Sequence, residues 1–109
     1  MTQKSAEGKL QVILDRHEIH DLAMRYCRAC DRMDESMMRS IFHENAYIEY
    51  GFFNGLAPEF VGWVIKHFKT HYVHSFHSIS NEYVVLKGEE AFGELYAIIH
   101  SRIKIENSV

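Results

Sequence analysis

His77 and Asn81 stand in the stretch from Tyr72 to Leu86, YVHSFHSISNEYVVL. Successive side chains of a strand point to opposite faces of the sheet. An extended reading therefore groups His77, Ile79, Asn81, Tyr83 and Val85 on one face, and Phe76, Ser78, Ser80, Glu82, Val84 and Leu86 on the other. An imidazole and an amide set among Ile, Tyr and Val describe an apolar cavity with a few polar groups aimed into it, the usual make-up of a small-molecule site. An imidazole there is titratable near neutral pH, its ordinary pKa being about 6.5. The same strand suits a core histidine hydrogen-bonded to a neighbour equally well.

Two other patterns invite a chemical reading and carry less. Cys27-Arg-Ala-Cys30 has C-x-x-C spacing. It falls late inside a predicted helix instead of at a helix N-terminus after a strand, and no second pair completes a zinc site. His67, His71, His74 and His77 resemble a metal cluster. The first two are i,i+4 on a predicted helix, but the last two fall on opposite strand faces, without an H-E-x-x-H or a nearby carboxylate trio. No metal and no other cofactor is expected.

The elements that must position these residues can be read from periodicity. From about Lys9 to Asp31 apolar residues recur at helical spacing, with Ile19, Leu22, Ala23, Tyr26 and Cys30 on one stripe and Arg16, Glu18, Asp21, Arg25 and Arg28 opposite. Asp34 is placed to cap a second, short helix ending near Phe42. Ala46–Tyr50 reads as a strand and Gly51–Gly55 as a turn or hairpin. A third helix is predicted from near Pro58 to His71, with Phe60, Val61, Val64, Ile65 and Phe68 facing inward. The long strand comes next, and Lys87-Gly88 turns the chain into a second one, Ala91 to about Ile105. Helices first and strands afterwards indicate an α+β fold.

Composition bounds the function. A chain of 109 residues suits one domain, spanning 1–109, with residues 1–8 polar and predicted disordered. Hydrophobic residues are 47% and charged ones 25%, so a packed core is expected and disorder is not. A net charge of −3 without a basic cluster argues against nucleic acid or an anionic membrane surface. No apolar run approaches a membrane span or a signal sequence, and two cysteines make no disulfide framework. A cytoplasmic protein is the expectation. The eight histidines are the compositional oddity.

In order and spacing, Tyr26-Cys-Arg-Ala-Cys-Asp31, the following Arg-Met-Asp34, Ile41-Phe-His-Glu-Asn-Ala46 and Ser75-Phe-His77 resemble the SnoaL-like branch of the nuclear transport factor 2-like superfamily. The resemblance covers roughly Leu10 to Arg102. It implies a cone-shaped, strongly curved antiparallel sheet wrapped over three N-terminal helices, with a cavity between. Members include dehydratases, dehydrochlorinases, cyclases and isomerases as well as non-catalytic binding or assembly domains, so fold alone does not settle function. Enzymes of this kind pair an aspartate ending the first helix with a histidine early in the third strand, positions matched here by Asp31 and His77. Tyr26 matches a catalytic tyrosine five residues before the aspartate, and His100 a second histidine on the next strand if the alignment does not slip by one.

The resemblance thus implies a cofactor-independent lyase or isomerase acting on an apolar, ring-containing small molecule. His77 would remove a proton, Asp31 would orient it, and Tyr26 or His100 would donate to a developing oxyanion or departing hydroxyl. His77→Ala or Asp31→Asn would then abolish most turnover and leave the fold and ligand binding largely intact. Tyr50, Asn81 and Tyr96 are candidate cavity residues. Simpler roles stay open: Asp31 could cap its helix, and Tyr26 could be a core tyrosine with a satisfied hydroxyl. Relatives usually continue for two more strands, so a C-terminally short version is implied, with an open edge that a dimer or trimer of the chain could cover.

Overall fold

The computed structural model describes residues 5–105. A long stretch without proline forms α1, Ala6–Arg32. Ser5 caps its start, the side chain accepting from the Gly8 N–H at 3.1 Å, which satisfies one of the donors a helix leaves orphaned. Met33 ends it in the left-handed region at φ 52°, and the Asp34 N–H returns to the Ala29 carbonyl at 2.9 Å. Asp34 then caps the next helix as its sequence position predicts: its carboxylate accepts from the Met37 N–H at 3.0 Å and opens α2, Glu35–Ser40.

Strands β1, Tyr47–Glu49, and β2, Asn54–Leu56, pair antiparallel. The sequence reads β2 as part of a turn, because three residues show too little alternation to register as a strand. Next comes α3, Ala57–His71, with Pro58 in its first turn, where the missing N–H costs nothing. The chain closes on a hairpin of β3, Tyr72–Lys87, and β4, Glu90–Ile103. Its two-residue turn places Gly88 at φ 61°, a conformation glycine adopts without a Cβ clash.

This is an α+β architecture, helices first and antiparallel strands after. The cone is not closed: β1–β2 and β3–β4 are separate two-stranded sheets. Phe60, Val61, Val64, Ile65 and Phe68 of α3 form the core with Met38 of α2 and Ala29 and Cys30 of α1. Tyr26, Phe42, Phe53 and Trp63 pack around it. The apolar stripe of α1 therefore reaches the core only in its last turns. Its N-terminal half instead runs along the hairpin, leaving Leu22 exposed. Among the described residues no helix is long and apolar enough to cross a membrane.

Two irregularities in β3 decide which side chains face the helices. The pairing slips between Tyr72 and His74 and again between Ser80 and Tyr83. At the second slip Asn81 lies in the left-handed region, φ 51°, and one extra residue on β3 flips the alternation. Ser75, His77 and Ile79 face α1 before the bulge; Glu82, Val84 and Leu86 face it afterwards, correcting the grouping read from a regular strand. Glu82 receives His20 Nδ1 at 2.7 Å and the Val84 carbonyl receives Arg16 at 2.9 Å, fastening the far half of the hairpin to α1.

Asparagine is one of the few residues that visit this conformation readily, and a β-branched side chain is not. Asn81→Val is expected to lower the unfolding free energy by about 1–2 kcal/mol, with Asn81→Gly near neutral. Urea midpoints of the two variants would check this.

Candidate active site

Asp31 sits in the last turn of α1, facing the first half of β3. Its Oδ1 lies 2.7 Å from Nδ1 of His77, and the same carboxylate accepts the His77 backbone N–H at 3.0 and 3.3 Å. The His77 side chain is 7% exposed and that of Asp31 22%. A carboxylate on Nδ1 fixes the tautomer of a neutral imidazole, so Nε2 carries the basic lone pair. Among the described residues Nε2 has no hydrogen-bond partner.

Three elements hold the ring in place. Tyr26, from α1, meets it edge-on at 6.3 Å between centroids, and Phe68, from α3, lies at 6.4 Å. Beneath, Ser75 is buried and shares a 3.0 Å hydroxyl contact with Ser101 across the hairpin. Burial pushes the Tyr26 phenol well above its ordinary range, with the adjacent Cys30 thiol adding to the shift. Tyr26 therefore keeps its proton and remains a donor. Tyr50 packs against Phe60 at 5.3 Å and Trp63 at 6.2 Å. Its own phenol is raised by burial and by the nearby Cys30 and Tyr72.

The structure thus brings Asp31, His77 and Tyr26 together, with Tyr50 nearby. The other three candidates lie elsewhere. His100 pairs with Phe76 and Tyr96 with Ser80, on the face of the hairpin turned away from the helices. The strand partner of His77 is Ile99, so a difference of one residue in register sends His100 outward. Asn81 is consumed by the bulge and is exposed. Sequence reading treats Phe68 and Cys30 as plain core and gives Ser75 no role; nothing in their spacing marks them as neighbours of a histidine.

The hollow expected around His77 is displaced. His77 itself is closely packed, and the open space lies farther along α1. One hollow of about 300 Å³ is lined by Ile19, Ala23, Glu82, Val84, Gly93 and Leu95. A larger one, about 760 Å³, lies between Val12, Ile13 and Arg16 and the hairpin beyond the bulge. Ala23 is one helical turn from Tyr26, so the smaller hollow approaches the dyad along the α1 groove.

Among the described residues the two cysteines and the other histidines do not gather into one centre. Cys27 and Cys30 are buried and unpaired inside α1. Burial raises both thiols, Cys30 up to about 12, the reverse of the depressed value a reactive thiolate needs. His67 stacks on Trp63 at 5.3 Å and lies 4.6 Å from His71, whereas His74 stacks on Phe76 on the outer face. Among the described residues no three His, Cys, Asp or Glu side chains converge.

The raised groups set an alkaline limit. The unfolded chain releases the Cys30 proton at a lower pH than the folded one, so this contribution to stability is complete below 9.0 and is lost as pH rises toward about 12. Tyr26 extends the loss from 10.0 upward. The urea midpoint is expected to fall over that window, and to fall less steeply in Cys30→Ala.

With the geometry established, comparison with known proteins places the chain. Two solved structures share its fold. One is the Kfla4162 protein of Kribbella flavida, 15% identical with a TM-score of 0.77, covering 85% of this chain and 67% of its own. The other is a candidate scytalone dehydratase of Novosphingobium aromaticivorans, 16% identical with a TM-score of 0.77, covering 86% and 64%. The chain spans about two thirds of the length of each. No curated protein matches. A family of SnoaL-like domains matches residues 11–106, nearly the whole described chain. The protein belongs to the SnoaL-like domain family, with the fold of the nuclear transport factor 2-like superfamily.

Proposed function

We propose that this protein is a cofactor-independent lyase of the dehydratase type, or an isomerase, acting on an apolar ring-containing molecule such as a steroid, polyketide or aromatic compound. The observation that carries this reading is the 2.7 Å contact between Asp31 and His77 Nδ1, which leaves Nε2 without a partner among the described residues. His77 Nε2 accepts a proton from a carbon next to a carbonyl. Asp31 holds Nδ1–H and balances the imidazolium that forms, as the carboxylate of a hydrolase triad does. Tyr26, kept neutral by burial, donates to the enolate oxygen or departing hydroxyl. The apolar lining of the α1 groove supplies the rest of the binding surface. No metal or cofactor takes part in this scheme. We place the reaction in the cytoplasm and expect the chain to act as a dimer or trimer.

A second reading, a non-catalytic binding or assembly domain, is favoured by one observation. The Asp31 carboxylate also clamps the His77 backbone, which a purely structural role would explain. Turnover separates the two. A panel of cyclic β-hydroxyketones followed by enone absorbance is expected to give turnover with a pH–rate limb that disappears in His77→Gln. Binding without turnover across the panel would favour the non-catalytic domain.

A further inference from the structure

His67 and His71 lie four residues apart on α3, so both rings project from one side of the helix. This is the spacing by which two histidines of one helix hold a metal ion. Their ring centroids are 4.6 Å apart and tilted by 53°. Two imidazoles bound through nitrogens about 2.0 Å from a shared ion stand with centroids roughly 4.5–5 Å apart. The pair therefore has the separation of a chelate in the chain alone. Trp63, one turn earlier, stacks on His67 at 5.3 Å and 11° and fixes its ring. Among the described residues the only ring hydrogen bonds of histidine are those of His20 and His77. The ring nitrogens of His67 and His71 are thus left to bind something else.

The setting suits a cation that prefers nitrogen. His71 closes α3, where the partial negative charge of a helix C-terminus favours positive charge. The terminal oxygens are engaged: Lys104 Nζ donates to the Lys69 carbonyl at 2.7 Å, and the Lys104 N–H to the His71 carbonyl at 2.7 Å. We propose that His67 and His71 chelate a divalent transition-metal ion, clipping the last turn of α3, from which β3 starts toward His77. Imidazole suits copper, nickel and zinc, with copper(II) held tightest, whereas magnesium and calcium seek oxygen. Water completes the coordination, because among the described residues no third His, Cys, Asp or Glu converges there. The ion has no part in the proton transfer proposed for Asp31 and His77.

Trp63 is the sole tryptophan and stacks on one of the two ligands, so bound copper(II) should quench it. The untagged 109-residue chain, titrated with copper(II) chloride, should lose fluorescence saturably at one ion per chain. Zinc chloride should compete for the site and raise the melting temperature by linkage, and magnesium chloride should do neither. His71 is exposed, so His71→Ala should melt like the parent without metal. It should weaken copper binding roughly tenfold or more, as loss of groups that merely support a ligand already does, and it should lose the zinc shift. His20→Ala, whose ring contacts Glu82, should titrate like the parent. Quenching that never saturates, that survives His71→Ala unchanged, or that magnesium relieves as well as zinc would overturn the proposal.

Discussion

His77→Gln is expected to lower kcat on a dehydratable hydroxyketone by roughly 10²–10⁴-fold, the usual worth of a positioned base. Glutamine has about the reach of histidine and its amide can still donate to Asp31, so the clamp on β3 is kept. Its amide nitrogen has no basic lone pair, so the proton acceptor alone is removed. Because that interaction matters in the transition state, kcat should fall with KM little changed. Enone absorbance under saturating substrate, together with a thermal melt of the same sample, gives both quantities. A variant that melts like the parent and turns over at the parental rate would remove His77 from the chemistry.

Asp31→Ala is expected to cost about 2–4 kcal/mol of folding stability, in addition to any loss of turnover. The carboxylate accepts two donors of His77, the backbone N–H at 3.0 Å and the ring at 2.7 Å. Removing it leaves both without a partner in a region where His77 is almost wholly enclosed, and each orphaned donor costs about 1–3 kcal/mol. Asp31→Asn keeps one oxygen acceptor and should fall between the parent and alanine. Urea denaturation of both variants would show it, and an alanine variant as stable as the parent would mean that the carboxylate holds nothing.

Asp31 and its pairing with His77 were legible in the sequence through the family resemblance, with local signals supplying the frame around them. The helical stripe runs to Asp31, and Asp34 supplies an unambiguous cap for α2. Pro58 and the α3 pattern likewise fix where β3 must begin. What failed was alternation carried too far. It places Asn81 beside His77 only if the strand is regular, and no residue announced the bulge: an asparagine in the left-handed region looks like any other strand asparagine until its pairing is known. Placing His100 depended on hairpin register, a long-range property that a one-residue slip reverses. The hollow was expected around His77 because polar groups among apolar ones suggest a cavity. A histidine packed between Tyr26 and Phe68 has the same sequence signature.

The extra residue in β3 works like a frameshift for the hairpin. Upstream of it odd-numbered positions look toward α1, downstream even-numbered ones do, and the two halves obey opposite rules of substitution. Deleting Asn81 would remove the extra residue and keep Glu82, Val84 and Leu86 toward α1, whereas pairing the strand straight through with Asn81 in place would turn Tyr83 and Val85 inward and throw those three out to water. A saturation scan of residues 75–87 should record that inversion as a tolerance pattern that changes step midway.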